Sequence, residues 1–302
     1  MRFKNLDLNL LAALDLLLTE RNVSRAAERI GITQSAMSNA LARLRQYFGD
    51  DLLVQVGRRL EPTPRAEMLA GPVRDILVRI ESSITAAPDF DPRISDRVFH
   101  ILVSDYTLTT LVPDFLRRVE AQNLSVGFEF LPQTDQASRA LERGEADLLI
   151  IPEDYSSEDH PIEILYEETF VAVAAQDHPR IGAHLDCAGF QAERHAVMKP
   201  AINLPSFESI AIQELGLTRH VDVTSFSFAA LPLLVIGTER LAILHRRMAE
   251  RVVRYLPLKM LELPFDLKPM RQCAQWHSYR SADPAIGWLR DQIIAAAQQY
   301  GE

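Results

Sequence analysis

The chain has 302 residues, of which 47% are hydrophobic and 24% charged, the balance of a globular protein large enough for two or three cores. No apolar run approaches the roughly 20 residues that a membrane span needs, and Asp7, Asn9 and Asp15 interrupt the first apolar stretch, unlike a signal peptide. Cys187 and Cys273 lack a metal-ligand spacing and fit two free thiols in a reducing cytoplasm. We therefore expect a cytoplasmic protein with no membrane partner, no metal and no cofactor.

The net charge of −9 is divided unevenly along the chain. Residues 1–66 contain ten Lys and Arg against seven Asp and Glu, and so carry +3, whereas the remaining 236 residues carry −12. A basic segment can approach phosphate groups, but an acidic body would be repelled by them. The pattern predicts that one N-terminal domain contacts DNA and that the rest of the chain has another task.

The first predicted element is an amphipathic helix that covers the motif after it, with apolar positions Leu10, Leu11, Leu14, Leu17 and Leu18. Residues 23–45, VSRAAERIGITQSAMSNALARLR, then have the pattern of a helix-turn-helix. We expect Ser24 to cap the first of its helices and Thr33 to cap the second. Gly31 supplies the positive φ of a tight turn, and Ile32 is predicted to be buried there.

The second helix of the motif has two chemically different faces. Its apolar face is predicted to be buried and contains Ala36, Met37, Ala40, Leu41 and Leu44. Its polar face suits base edges and phosphates and contains Gln34, Ser35, Ser38, Asn39 and Arg43. Ser24 and Thr33, at the two helix starts, are added to this predicted DNA-contacting set. The alternative interpretation is a pair of antiparallel helices without any role in DNA binding.

Two short strand segments, near 52–54 and 57–60, predict a wing after the helix-turn-helix. Arg58 and Arg59 at its tip could reach a minor groove or phosphates, and the alternative is a solvated arginine pair on a turn. Thr63 and Arg65 begin the next helix, where backbone N–H groups and a hydroxyl could hold a phosphate.

A long helix is predicted from about 64 to 87, with an apolar seam formed by Leu69, Val73, Ile76, Ile80 and Ile84. A helix of roughly 24 residues is about 36 Å long, too long to be buried in so small a domain. The seam is therefore expected to pair with a second copy, which would place two helix-turn-helix motifs on two half-sites. Pro88 and Pro92 end the helix, so the predicted domains are 1–63 (DNA-binding), 64–88 (linker and dimerisation helix) and 93–302 (effector-binding).

In the acidic body, short apolar strands alternate with helices, a pattern typical of α/β folds with parallel sheets. Strands are predicted at 98–104, 126–131, 147–151, 169–174, 196–199, 221–224, 241–244 and 259–263. Helices are predicted near 108–122, 134–143, 206–216, 227–236 and 246–254, followed by a last helix over 283–300. Composition and pattern alone indicate an α/β protein with more than one lobe.

Ligands in open α/β sheets collect beyond the carboxyl ends of strands, against helix N-termini. The segment Ser104, Asp105, Tyr106 and Thr107 lies between a predicted strand and helix and offers hydroxyls and N–H groups. Other candidates for effector binding are Pro152, His195, Lys199, Ser206 and Phe226. The plainer alternatives are that Ser104 and Ser206 only cap helices, that Phe226 and Phe228 belong to a core, and that His195 is structural.

The segments FKNLDLNLLAALDLLLTERNVSRAAERIGITQSAMSNALARLR, LEPTPRAEML and QWHSYRSADPAIGWLR resemble LysR-type transcriptional regulators, and the similarity extends along the whole chain. It is especially similar to the branch of NodD nodulation regulators and NahR-type regulators of aromatic degradation, although Ser35 stands where many members have proline. The resemblance implies a winged helix-turn-helix, a linker helix and a two-lobed α/β domain like that of periplasmic binding proteins. Lobe one would take about 93–166 and 270–302, and lobe two 167–269.

The resemblance also implies an effector cleft between the lobes, in which His195 and Arg247 contact the ligand, although the alignment at Arg247 could slip to Arg246. The predicted function is a regulator that binds double-stranded promoter DNA as a dimer or tetramer, responds to a small phenolic or aromatic effector, and influences RNA polymerase. A flavonoid and an aromatic acid both fit, and an effector-independent regulator is the alternative. A transport solute-binding protein would carry a signal peptide in place of the DNA-binding segment. The enzyme alternative has little support, because the sequence contains no G-x-S-x-G, H-E-x-x-H or Walker A motif.

Overall fold

The computed structural model describes residues 7–57, 59–80, 89–133, 137–199 and 206–299. The chain forms two compact units, one that ends before residue 87 and includes 142–144, and one that contains the rest. Among the described residues, no helix combines the length and the apolar character that a membrane crossing would require. The predictions for Arg58, Ile84 and Pro88 fall outside these residues.

The N-terminal unit packs its helices around one apolar core. Its described elements are α1 (Leu8–Glu20), α2 (Val23–Ile30), α3 (Gln34–Phe48), β1 (Leu53–Val56), β2 (Arg59–Pro62) and α4 (Pro64–Ile80). Leu14 and Leu17 of α1 are fully buried against Met37 and Leu44 of α3, because the leucines of α1 recur on one helical face. β1 and β2 pair antiparallel, with Val56 opposite Arg59. The covering helix and the wing are confirmed.

The turn between α2 and α3 has the positive-φ glycine and the helix cap that the sequence predicts. Gly31 has a φ of 77°, and the Thr33 hydroxyl accepts a hydrogen bond from the Ala36 N–H at 3.2 Å. The prediction of Ser24 as a cap is wrong. The side-chain oxygen of Asn22 accepts from the N–H groups of Ser24 and Arg25 at 3.0 and 3.1 Å, so the cap lies two residues earlier than predicted and α2 begins at Val23.

The buried stripe of α3 is narrower than predicted. Met37, Leu41 and Leu44 are buried, but Ala36 is exposed and Ala40 only partly covered. Ile32 in the turn is 40% exposed, so its predicted burial is also wrong. Because residues three and four apart share one helix face, the neighbours of α3 cover only the line of Met37, Leu41 and Leu44.

The apolar residues of α4 do not form the single open seam that the sequence predicts. Leu69 and Val73 pack on the N-terminal core within the same chain. Ile76 is 46% exposed, and Met68, which the predicted seam omits, is 72% exposed. The core of the unit covers only one side of α4, so the exposed apolar surface lies on another side, around Met68 and Ile76.

The second unit contains two five-stranded sheets, each the centre of one lobe. The first lobe has the strand order β4-β3-β5-β12-β6. Its strands are β3 (Val98–Val103), β4 (Gly127–Pro132), β5 (Leu148–Pro152), β6 (Ile162–Glu168) and β12 (Met270–Gln275). Its helices are α5 (Asp105–Thr110), α6 (Val112–Glu120), α7 (Ala137–Glu142) and α12 (Pro284–Gln298). Phe99, Phe115 and Leu289 lie in its buried core.

The second lobe has the strand order β11-β7-β10-β8-β9. Its strands are β7 (Phe170–Ala175), β8 (Arg194–Met198), β9 (His220–Ser225), β10 (Arg240–His245) and β11 (Leu258–Leu261). Its helices are α8 (Cys187–Ala192), α9 (Phe207–Glu214), α10 (Leu231–Val235) and α11 (Arg246–Val252). Val171, Phe190 and Leu241 are among its buried core residues.

Both sheets are mixed, which corrects the expectation of parallel sheets. In the first lobe β12 runs antiparallel to β5 and β6, and in the second lobe β7 runs antiparallel to β10 and β11. The antiparallel strands β6 and β12 were not predicted, and they lie at the two points where the chain passes from one lobe to the other. The eight predicted strands of the body are present, each within two residues of its expected ends.

One predicted helix of the body is divided in two, and the last helix begins where the sequence predicts. The helix expected at 108–122 is two helices, α5 and α6, because Pro113 lacks an N–H to continue the first. The last helix begins as expected, with the Asp283 carboxylate accepting from the Ala285 N–H at 2.9 Å.

Candidate functional site

The polar face of α3 is open to solvent along its length. Its exposed members are Gln34, Ser35, Ser38, Asn39 and Arg43. The Ser35 and Thr33 hydroxyls lie 3.0 Å apart at the start of the helix, where N–H dipoles favour an anion. The face therefore combines amide, hydroxyl and guanidinium groups with the positive end of a helix, the chemistry that contacts base edges and phosphates.

Residues beside α3 differ in how available they are. Arg59 in the wing and Arg65 in the first turn of α4 are exposed, and Ser24 is half-buried. The Thr63 hydroxyl is already engaged: it donates to the Asp50 carboxylate at 2.6 Å and accepts from the Ala66 N–H at 3.1 Å. This hydrogen bond lowers the pKa of Asp50, so a charged carboxylate lies where the sequence predicts a phosphate. The structure thus disfavours a phosphate contact by the Thr63 hydroxyl.

A second group of polar residues lies where the two lobes meet. Tyr106 of α5, in lobe one, is buried and donates its hydroxyl to Glu168 at the end of β6. Arg247 of α11, in lobe two, holds its Nε 3.7 Å from the same carboxylate and its guanidinium carbon 3.9 Å above the Tyr166 ring. We call Tyr106, Tyr166, Glu168, His245 and Arg247 the inter-lobe cluster.

Burial sets the protonation chemistry of this cluster. Burial raises the pKa of Glu168, and the Tyr106 hydroxyl and Arg247 oppose that shift. Burial also raises the pKa of Tyr166 to about 12 and that of Tyr106 well above its usual value, which keeps both phenols protonated. Loss of hydration lowers the pKa of His245 to about 3, so its imidazole is neutral.

His245 lies inside an aromatic cage. Its ring stacks on Tyr106 with the centroids 3.9 Å apart, and the rings of Phe228 and Phe170 lie 4.8 and 5.1 Å away. Three of these four rings come from lobe two and one from lobe one. The four rings stabilise one another, because aromatic faces and edges attract at these distances.

The predicted segment 104–107 supplies the rest of the site. The Ser104 hydroxyl caps α5 and lies 3.1 Å from the Thr107 hydroxyl, which accepts from the Gln272 amide at 3.3 Å. Gln272 is paired with Pro152 in the β12–β5 ladder, which places Pro152 beside this group. Asp105 joins the lobes, because its carboxylate accepts from the Ser227 hydroxyl and the Ala229 N–H.

Four predicted effector residues lie elsewhere. His195 is completely buried in the core of lobe two, where its Nε2 lies 2.7 Å from the Phe190 carbonyl and burial lowers its pKa to about 4. Lys199 is exposed, Phe226 is 79% exposed, and Ser206 is buried beside Ser209 at the start of α9. None of their observed contacts reaches the inter-lobe cluster. The structural alternative for His195 therefore accounts for its position.

The sequence-based prediction missed Tyr166, Glu168, His245 and Gln272. Tyr166 and Glu168 lie on β6 and Gln272 on β12, the two strands that were not predicted. The available signal was the alternation in ILYEE, which places Tyr166 and Glu168 on one face of a strand. Within the described part of the chain, no group of three or more His, Cys, Asp or Glu is arranged to hold a metal ion.

A winged helix-turn-helix with an exposed polar recognition helix, joined to a two-lobed α/β body, has the architecture of a DNA-binding transcriptional regulator. Family comparison agrees: residues 8–67 match the bacterial regulatory helix-turn-helix protein family of lysR type, and residues 95–298 match the LysR substrate binding domain. The chain belongs to the LysR family of transcriptional regulators.

Similar proteins span the full chain. Nodulation protein D 1 of Rhizobium leguminosarum bv. phaseoli is 40% identical over 300 residues, which cover 99% of this chain and 96% of the relative. Full-length OxyR from Pseudomonas aeruginosa superposes with a TM-score of 0.73 at 18% identity, covering 96% of this chain and 95% of OxyR. CbnR in complex with its target DNA has a TM-score of 0.54 at 15% identity, covering 97% of this chain and 100% of CbnR. These two structures share the fold.

Proposed function

We propose that this regulator binds promoter DNA as a dimer or dimer of dimers, through α3 in the major groove and the wing beside it. The exposed polar face of α3 supports this role, with Gln34, Ser38 and Asn39 pointing away from the buried stripe. The fold shared with CbnR, which was solved on its target DNA, is consistent with it. We expect the affinity for DNA to fall steeply and linearly with salt on logarithmic axes.

We further propose that the inter-lobe cluster recognises an uncharged, flavonoid-like phenol rather than an aromatic carboxylate. Glu168 already lies beside Arg247, so a second carboxylate would be repelled by Glu168. Among the described residues of this region, the buried atoms without a hydrogen-bond partner include His245 Nδ1, Gln272 Oε1 and the Tyr166 hydroxyl oxygen. Together with Glu168 these atoms favour a ligand that donates hydrogen bonds, as phenolic hydroxyls do. This arrangement is the observation that carries the proposal.

The effector would act by changing the balance between lobe arrangements. A molecule bound between the lobes stabilises whichever arrangement it contacts best, and no other source of free energy is needed. In an oligomer, such a shift alters the spacing of the helix-turn-helix motifs and the bend of the promoter, and hence access of RNA polymerase. The resemblance to nodulation proteins D favours this coupling.

A matched ligand pair tests the proposal on the full-length protein. A hydroxycinnamate and its methyl ester share the ring and the hydroxyl, but only the acid carries a negative charge. A ligand at a hundredfold its Kd stabilises the folded state by about 2.7 kcal/mol. We expect the ester, and polyhydroxylated flavonoids, to raise the melting temperature more than the acid. Binding of aromatic acids alone would contradict the proposal, and a blank screen would favour an effector-independent regulator.

The variant Arg247→Ala tests the site itself. Because its guanidinium faces Glu168 and Tyr166, we expect the variant to lose the ligand-induced thermal shift while it keeps the parent's operator affinity. The control is Arg139→Ala, an exposed arginine of α7 in lobe one. An unchanged thermal shift in Arg247→Ala would exclude this residue as an effector contact.

A further inference from the structure

A groove of about 790 Å³ lies between α6 of lobe one and α11 of lobe two, apart from the inter-lobe cluster. It is lined by four arginines: Arg117 and Arg118 from α6, Arg251 from α11, and Arg254 just beyond α11. Tyr255 also lines the groove and is 85% exposed. None of these residues takes part in the function proposed above.

The groove has an excess of positive charge inside an acidic domain. Its two carboxylates are Asp114 and Glu250, so four guanidinium groups leave two positive charges uncompensated. Asp114 alone serves two arginines, since its two oxygens accept from Arg117 and from Arg251. The residues after 66 carry a net charge of −12, so the groove is a positively charged region on a negatively charged domain.

The two remaining arginines lack such carboxylate neighbours in the part of the chain that the structure describes. Arg118 donates from Nε to the Gln292 side-chain oxygen at 3.1 Å, a neutral partner. Arg254 is exposed at the rim. Their guanidinium groups therefore keep donors for a ligand, and several guanidinium groups around one space suit an anion with several oxygens.

We propose that this groove binds a small phosphate-bearing anion. A dianion or polyanion matches the two uncompensated charges, whereas a single carboxylate at so exposed a place would gain little over water. The anion would contact arginines from both lobes and compete with Asp114 for Arg251, which at present joins the lobes through that carboxylate. Bound phosphate would therefore act on the lobe arrangement from a second site.

Calorimetric titration of the full-length protein with pyrophosphate tests the proposal, with sodium chloride added to equal ionic strength as the blank. We expect saturable binding of one pyrophosphate per chain. The double variant Arg118→Gln with Arg254→Gln should weaken that binding at least tenfold. The control Arg139→Gln removes an exposed arginine outside the groove and should bind as the parent does. Equal melting temperatures of the variants would show that folding is preserved.

A nucleotide and a simple phosphate compound share this chemistry, and a second titration with ADP distinguishes them. Tighter binding of ADP than of pyrophosphate, lost in Tyr255→Ala, would identify a ring-bearing ligand stacked on Tyr255. Equal binding would identify the phosphate group alone as the ligand. The proposal is overturned if neither compound binds saturably, or if the double variant binds as tightly as the parent. No phenolic effector is present, so either outcome leaves the effector proposal untouched.

Discussion

Ser38 and Asn39 are exposed on α3, five and six residues after the Thr33 cap. In the proposed complex this part of the helix contacts the base edges. We expect Asn39→Ala and Ser38→Ala each to weaken specific operator binding by about 1–3 kcal/mol, because each loses a hydrogen bond to a base. Fluorescence anisotropy on operator and random DNA measures the effect.

The matched control for these variants is Gln46→Ala, an exposed residue near the other end of the same helix. It should leave the ratio of specific to random affinity unchanged. Equal losses of Asn39→Ala on both DNAs would contradict a base contact and assign the residue to phosphate binding.

His245 makes a prediction about acid stability. Its pKa is lowered to about 3 in the folded protein, against about 6.5 when unfolded. The unfolded chain therefore takes up the proton first, and the stability from the neutral imidazole is present above pH 6.5 and lost as the pH falls towards 3. The variant His245→Phe keeps a ring in the cage. Below pH 6.5, the slope of its free energy of unfolding against pH should be smaller than that of the parent by about 1.4 kcal/mol per pH unit.

Urea unfolding at pH 7, 6 and 5 measures this slope. His195, whose pKa is lowered to about 4, contributes in the same direction and stays in the variant. The control Phe170→Leu disturbs the same cage without a titrating group and should lower stability equally at each pH. A slope in His245→Phe as steep as that of the parent would show that His245 is not buried as a neutral group.

At the scale of elements, α4 presents Met68 and Ile76 to solvent while Leu69 and Val73 serve the core of their own chain. We propose that a second copy covers Met68 and Ile76. The variant Met68→Asp with Ile76→Asp should raise the dimer dissociation constant at least tenfold, since it places charge on a buried interface, a cost of more than about 1.4 kcal/mol. Sedimentation equilibrium measures it.

The control on the same helix is Asp75→Asn, an exposed polar residue that should leave the dimer intact. Val73→Asp, in contrast, should unfold the N-terminal unit, because Val73 is 4% exposed. A dimer unaffected by the double substitution would mean that α4 pairs through a different face, or that other elements hold the copies together.

The sequence predicts the apolar strands of the body but not the charged strand β6. β3, β7 and β10 are short apolar runs, and the sequence predicts them because burial on both sheet faces demands such runs. β6 contains Glu163, Glu167 and Glu168, charges that conceal a strand. Glu168 is tolerated in a buried position because Tyr106 and Arg247 reach it from distant parts of the chain and the Thr169 N–H donates to it as well.

At the scale of the whole second unit, Asp105 connects the lobes. Its carboxylate accepts from the Ser227 hydroxyl at 2.6 Å and from the Ala229 N–H at 3.0 Å. Asp105→Asn should weaken this link by about 1–2 kcal/mol, since hydrogen bonds to a charged group are stronger than neutral ones. Local opening would then speed amide hydrogen exchange across 227–235 about tenfold.

Mass spectrometry of exchanged peptides tests this prediction in the absence of any effector. Asp154→Asn, on the short 3-10 turn after β5, is the control and should leave exchange across 227–235 unchanged. Exchange in α3 should stay the same in both variants. Equal protection of 227–235 in Asp105→Asn and the parent would mean that the lobes are held by other contacts.

The sequence by itself determined the helix-turn-helix, the wing and the alternation of strands and helices, because caps, turn glycines and apolar periodicity act over a few residues. It also indicated Ser104, Asp105, Tyr106, Thr107 and Pro152, and the family resemblance indicated Arg247; the structure brings these residues together. Only the tertiary structure decided that His195 is a core residue, that Glu168 and His245 join the site, and that arginines of α6 and α11 share a groove. Those facts depend on antiparallel pairing and burial between residues about a hundred positions apart, and no local pattern contains them.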